Sequence, residues 1–189
     1  MELEELYERY WSFYTERYME KRRRDYTCKA FELELAATNS FIYGQVLDVG
    51  CGPGDYLEWL NAREVIGLDP IIYAVLIARD FAPVVMADGH FLPFRDEVFD
   101  CVSMIHVIEH VEPHRALREA KRVLKSEGRI IIITPDGELC PDLGDPTHIT
   151  LYTKDELGDI VEEYFRIVVL TNIRDTTSIF LVGVKNGIR

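Results

Sequence analysis

The feature that most narrows the fold is the segment 129–134, where four consecutive isoleucines, Ile130, Ile131, Ile132 and Ile133, leave no polar face. A strand sends successive side chains to opposite faces of its sheet, so this strand must be covered on both sides. That requirement argues for a layered α/β domain, and the preceding chain supplies the layers. Strands are predicted at 46–49, 64–68, 84–87 and 99–104. Helices are predicted after Gly54 to about Leu60, over 71–79 and over 115–124, the last with Gly128 just past its end. Alternation of this kind implies a mostly parallel sheet with helices on both faces.

Beyond the fifth strand the rhythm changes. Thr153, Lys154, Asp155 and Glu156 make a capping box that opens a helix to about Tyr164. The β-branched runs at 165–170 and 178–184 are joined by a polar loop too short for a helix, so they should pair antiparallel. Residues 1–40 read as an N-terminal helical cap in front of a main domain at 41–189. Within the cap, Tyr7, Trp11, Tyr14 and Tyr18 recur at helical spacing. This aromatic stripe is either core packing or a lid, with Tyr10, Tyr14 and Tyr18 as its substrate-facing residues. The run Lys21, Arg22, Arg23, Arg24 is either a solvated helix face or the source of one carboxylate-clamping arginine.

The balance of charge restricts partners. Lys plus Arg number 21 against 33 Asp plus Glu, a net charge of −12, which opposes the phosphate backbone of nucleic acid. No apolar run is long enough to span a membrane, and the opening Met-Glu-Leu-Glu-Glu lacks a signal core, so a cytoplasmic protein is expected. The four cysteines, Cys28, Cys51, Cys101 and Cys140, contain no Cys-x-x-Cys pair and suggest neither a zinc site nor a disulfide framework.

The chemistry concentrates in Leu47-Asp48-Val49-Gly50-Cys51-Gly52-Pro53-Gly54, which is expected to join a strand to a helix. Its glycines let a ligand approach bare backbone. Asp69 closes the next strand, where a carboxylate can accept hydrogen bonds from two ribose hydroxyls. A dinucleotide would bring its pyrophosphate beside Asp55 and near Asp48, which is electrostatically unfavourable. The loop therefore favours a cationic nucleoside.

These residues resemble the class I S-adenosylmethionine-dependent methyltransferases, in their small-molecule branch. The segment 46–54 is similar to the family's first motif and 65–69 to its second. Ala87-Asp88-Gly89, Leu92-Pro93-Phe94 and Phe99-Asp100-Cys101-Val102 resemble the stretch ending in the fourth strand. The segments 106–111 and 117–128 resemble the motifs that follow. The resemblance implies a Rossmann-like, doubly wound seven-stranded sheet ordered 3-2-1-4-5-7-6 with strand 7 antiparallel, and S-adenosyl-L-methionine as cofactor. It further implies that Gly50 and Gly52 lie against the methionine moiety, Asp48 orders its ammonium, and Asp69 holds the ribose. Asp88 would accept from the adenine amino group, the Gly89 backbone would border the ring, and Ile105 and His106 would flank the sulfur. Cys51 and Pro70 complete the expected cofactor-binding set. The expected partner is a small-molecule acceptor methylated on oxygen or nitrogen. Transfer to protein or tRNA, and a non-catalytic nucleoside-binding role, are the alternatives.

His106-Val107-Ile108-Glu109-His110 also matches an inverted zinc-protease signature. Pro113 leaves little room for the sustained helix such a site needs, and no distant third ligand stands out, so no metal is expected. Glu109 and His110 are expected to make structural hydrogen bonds. For acceptor deprotonation the candidates are His148, in the loop after the fifth strand, and His106. Asp145, three residues before His148, either orients its ring or is turned away by Pro146. His90 and His114 carry no pattern, and the roles of Pro135 and Asp136 stay open.

Overall fold

The computed structural model describes residues 29–140 and 145–187. The aromatic stripe with Tyr10, Tyr14 and Tyr18, the Lys21–Arg24 run and Cys28 lie outside the described residues. Seven strands form one sheet: β1 (Gln45–Val49), β2 (Glu64–Asp69), β3 (Val84–Met86), β4 (Phe99–Ile105), β5 (Leu124–Pro135), β6 (Arg166–Asn172) and β7 (Ser178–Val184). Their order is β3-β2-β1-β4-β5-β7-β6. The pairs from β3 through β5 are parallel, whereas β7 runs antiparallel to both β5 and β6. This is the doubly wound topology expected, with β7 inserted as a returning strand.

The four isoleucines explain why both faces are covered. All four are 0% exposed. Ile130 and Ile132 pack with Leu117 and Ala120 of α3 (Pro113–Val123) and with Leu157 and Val161 of α4 (Lys154–Glu162). Ile131 and Ile133 point the other way, into a cluster with Phe180 and Val182, bordered by Leu35 and Ala37 of α1 (Lys29–Asn39). Burying each side chain contributes roughly 1.5–3 kcal/mol relative to exposure, so this one strand anchors both layers. The helix α2 (Ile72–Ala78) crosses between β2 and β3.

Two elements differ from the sequence expectation. After the glycine loop there is only a three-residue 3-10 turn, Leu57–Trp59, in place of a helix reaching Leu60. The hydrogen bonds Leu57 N to Gly54 O and Trp59 N to Tyr56 O span three residues, too tight for an α-helix. Asn39 of α1 then takes the next backbone groups, donating to Trp59 O and accepting from Asn61 N. The second difference is at β5, which begins at Leu124 directly after α3. Val98 N and Glu97 N bond to the last helical carbonyls, Val123 O and Arg122 O, drawing the chain straight into the sheet. Gly128 therefore lies inside the strand rather than at a helix cap.

The capping box is present: Thr153 Oγ1 accepts from Glu156 N, and Glu156 Oε2 accepts from Thr153 N. Arg122 braces the chain after β3, donating to Glu119, Asp96 and the carbonyls of Leu92 and Phe94. Among the described residues no helix is long and apolar enough to cross a membrane.

Candidate active site at the carboxyl ends of the parallel strands

The turn after β1 is pinned to the end of β2, because Gly50 N and Cys51 N both donate to Leu68 O, at 2.7 and 3.0 Å. Gly50 has φ +69°, and a Cβ there would lie 2.4 Å from Val107 Cγ2. Gly52 also has positive φ, +53°, yet among the described residues nothing beyond its chain neighbours lies within 4 Å of where its Cβ would be. The first glycine lets the loop lie flat on the chain after β4; the second leaves an open cradle. Asp69 holds the loop, accepting from Gly52 N through Oδ2 at 2.9 Å and from Ile71 N through Oδ1 at 2.8 Å. Pro70 sits half-buried within that turn.

The crevice collects negative charge. Asp48 on β1 is buried, and Ser103 on the neighbouring strand donates to its Oδ1 at 2.6 Å. Burial pushes the Asp48 carboxyl up to about 7 against the pull of that hydrogen bond, helped by the charge of Asp69. Burial likewise raises Asp69 to about 6 and Asp55 to about 6. Asp48 and Asp69 are held by a hydroxyl and by backbone N–H groups, with no cationic side chain beside either among the described residues. Cys51, also buried, has its thiol pushed up by burial and by both aspartates, which makes it a small apolar filler.

On the other side of β2, Asp88 Oδ1 accepts from His90 N at 2.8 Å and faces His90 Nδ1 at 2.7 Å. His90 Nε2 accepts from Glu112 N at 2.9 Å, so the ring proton is on Nδ1 and donates to Asp88. Gly89 between them is buried, with Val49 Cγ1 3.1 Å from its Cβ position. Ile105, 7% exposed, ends β4.

His106 follows with φ +55°, a left-handed conformation uncommon outside glycine. Its Nε2 lies 3.1 Å from Glu34 Oε2 and its Nδ1 3.7 Å from Glu109 Oε1. Burial works against the imidazolium, but the two carboxylates prevail and raise His106 to about 10. Glu34 is 4% exposed and also accepts from Tyr56 Oη and Ser178 Oγ, each at 2.6 Å. Those partners, His106 first, overcome burial and lower Glu34 to about 2.

The loop after β5 folds over this end of the sheet. Asp136 is buried and accepts from Glu138 N and from Asn172 Nδ2, which gives it a bracing role. Asp145 Oδ1 accepts from the N–H and the hydroxyl of Thr147, shaping the turn. The ring beside His148 is that of His110, with centroids 4.8 Å apart. His110 Nδ1 lies 3.1 Å from Thr147 O, and burial lowers its pKa. Glu109 Oε2 accepts from Thr134 Oγ1 at 3.0 Å, while its buried Oε1 has no hydrogen bond among the described residues.

The structure thus gathers Asp48, Gly50, Cys51, Gly52, Asp69, Pro70, Asp88, Gly89, Ile105 and His106 along one edge, with His148 on the adjoining loop. Sequence reasoning missed Glu34 and His90. Glu34 sits among Leu33, Leu35, Ala36 and Ala37, where nothing separates it from the exposed Glu32. His90 had one available signal, its position two residues after Asp88 behind a glycine.

Residues 47–132 match a family model described as a methyltransferase domain. An uncharacterized protein of Methanocaldococcus jannaschii is 43% identical over 89 residues, 46% of this chain and 35% of that protein. A probable tRNA methyltransferase 9B of Mus musculus is 38% identical over 92 residues, 46% of this chain and 21% of that protein. This chain therefore spans well under half the length of those relatives. A crystal structure from Thermotoga maritima, described as a SAM-dependent methyltransferase and possible histamine N-methyltransferase, has a TM-score of 0.75 at 24% identity. The alignment covers 96% of this chain and 99% of that one.

Proposed function

We infer, because the chain belongs to the class I S-adenosylmethionine-dependent methyltransferases, that it transfers a methyl group to an oxygen or nitrogen of a small-molecule acceptor. The observation that carries this reading is the pair of buried carboxylates, Asp48 and Asp69, set against the Gly50–Gly52 loop with no cationic side chain beside them among the described residues. An uncompensated acidic crevice beside an open glycine cradle fits a ligand with an ammonium and a sulfonium.

S-Adenosylmethionine supplies, when bound, a methyl group activated by attachment to sulfonium. Asp69 has lone pairs left on both oxygens for the ribose hydroxyls. Asp48 orders the ammonium, and Gly50 and Gly52 present backbone to the methionine part. Asp88 spends Oδ1 on His90, which steadies the carboxylate for the adenine amino group, while Gly89 borders the ring. Cys51, Pro70 and Ile105 wall the crevice. The chain's contribution is chiefly alignment, since methyl transfer is an in-line displacement.

Of the two histidines considered as bases, His106 is held as a cation by Glu34 and Glu109 and serves as a positioning group. His148 takes the acceptor's proton. Net charge of −12 supports a small molecule over tRNA. The tRNA methyltransferase relative favours the second reading. Incubation with methyl-labelled S-adenosylmethionine, a small-molecule panel and bulk tRNA separates them. Label in a small molecule supports the reading, and label confined to tRNA overturns the acceptor class. NAD binding more tightly than S-adenosylhomocysteine overturns the cofactor. His148→Gln should retain cofactor affinity and lower turnover by ~10²-fold, the usual scale for loss of a general base.

A further inference from the structure

We propose that Glu109, His110 and His148 form a site for one divalent transition-series cation, open towards the acceptor side of the crevice. One carboxylate oxygen of Glu109 and one ring nitrogen from each histidine lie within 4.8 Å of one another. Ligands about 2.0–2.1 Å from a tetrahedral ion stand roughly 3.3–3.5 Å apart, a separation that small side-chain rotations reach from here.

Two independent features point to a ligand. Glu109 is 1% exposed, and its Oε1 has no hydrogen-bond partner among the described residues. His106 Nδ1 faces it as an ion-pair partner at 3.7 Å, too long for a hydrogen bond, so the oxygen's lone pairs are left without a donor. Leaving a buried carboxylate oxygen unsatisfied is costly, and a cation is a natural partner. The second feature is the tautomer of His110. His110 Nδ1 lies 3.1 Å from both Thr147 O, which can only accept, and Thr147 Oγ1, whose proton goes to Asp145 Oδ1, so the ring proton sits on Nδ1 and Nε2 is the unprotonated nitrogen. A backbone carbonyl that fixes the far nitrogen of a ligating histidine is the usual outer support of such sites.

The ligand-bearing segments are also tied together. Ile149 N and Thr150 N donate to Glu109 O at 2.8 and 3.3 Å, holding the His148 loop on the turn that carries Glu109 and His110. This is not the helical pairing of His106 with His110 weighed from sequence. The left-handed His106 sends the chain into the 3-10 turn Ile108–His110, and His148 arrives from the loop after β5.

Two imidazoles and one carboxylate suit Zn²⁺, Fe²⁺, Mn²⁺ or Co²⁺ better than Mg²⁺. Three protein ligands leave coordination positions open, and half-buried His148 is the outermost of them. An acceptor hydroxyl bound there would give up its proton to solvent water more readily, because the cation stabilises the alkoxide left behind. In the ion-loaded protein His148 is therefore a ligand, and its role as proton acceptor applies to the ion-free form. The site itself is independent of the methyltransferase reading; only this consequence rests on it.

The test uses the full chain, stripped with a chelator and titrated with Co²⁺, read by visible absorbance and by calorimetry. One Co²⁺ per chain is expected, with affinity at least 10-fold lower in His148→Ala and lower again in Glu109→Gln. His114→Ala, outside the cluster, should match the parent. Adding acetohydroxamate, a small oxygen-donor chelate, should shift the Co²⁺ band. S-Adenosylhomocysteine binding by the stripped protein and by His148→Ala reports folding and the cofactor reading separately. No saturable Co²⁺ binding, or binding unchanged in His148→Ala, overturns the site. A band unmoved by acetohydroxamate overturns the open positions and with them the acceptor role.

Discussion

His106 Nε2 lies 3.1 Å from Glu34 Oε2, so the turn after β4 is paired with a helix 72 residues earlier in the chain. The pair is asymmetric in exposure, with the glutamate side chain 6% exposed and the histidine 38%. Solvent at the histidine reduces the cost of burying the pair without removing it.

Glu34→Gln should therefore destabilise the fold by about 2–3 kcal/mol near pH 6, below the usual range for breaking a fully buried pair because His106 is partly solvated. Glu34 is held down at about 2, so its contribution is present above about 4.5 and fades as pH falls towards 2. His106 is held up at about 10, so its share is present below about 6.5 and fades as pH rises through 10. Urea titrations of parent and variant should differ most between pH 4.5 and 6.5. A gap independent of pH would sink the assignment.

Asp48→Asn should have the opposite sign. A carboxyl raised to about 7 favours the fold fully below about pH 4, and that advantage is lost as pH rises through 7. At pH 8 the variant should be more stable than the parent by on the order of 3–4 kcal/mol, with the gap closing towards pH 4. The same variant should bind S-adenosylmethionine more weakly. Thermal melts across pH, paired with calorimetry, check both halves.

Asp69→Ala should weaken S-adenosylhomocysteine binding by about 1.5–3 kcal/mol, the range for hydrogen bonds to a charged group. Because Asp69 also accepts from Gly52 N and Ile71 N, Asp69→Asn should recover part of that loss through its remaining oxygen. Equal affinities in the parent and the folded alanine variant would remove the ribose assignment.

Gly50→Ala and Gly52→Ala should separate folding from binding. Both put a side chain at positive φ, at a cost of roughly 1–2 kcal/mol. At Gly50 the new carbon also meets Val107 at 2.4 Å, so its loss of stability should be the larger. At Gly52 it meets no atom of the described residues beyond its chain neighbours, and the added methyl instead occupies the cradle. Gly52→Ala should stay folded and lose at least ~10-fold in S-adenosylhomocysteine affinity, measured by calorimetry.

The parts of this molecule that could be read from sequence are those governed by local rules. Ile130 to Ile133 required two covered faces, the Gly50–Gly54 loop required backbone that other residues resist, and Thr153 with Glu156 announced a helix start. The short turn at Leu57–Trp59 was not legible, because Asn39 from another element ends it. Glu34 was hidden for a similar reason: its partners Tyr56, His106 and Ser178 come from three separate segments. The meeting of His110 with His148 depends on the path of a loop, which carries no periodicity to read.

Glu34 also bears on how this chain can be cut. The change in sequence character near residue 40 invites a truncation there, yet a fragment beginning at Phe41 would strip Tyr56 and Ser178 of a shared acceptor. It would leave His106 with one carboxylate where it had two. A shortened protein would be wounded at its centre rather than trimmed at its edge, and a library of grafted N-terminal caps would have to carry its own glutamate to the same spot.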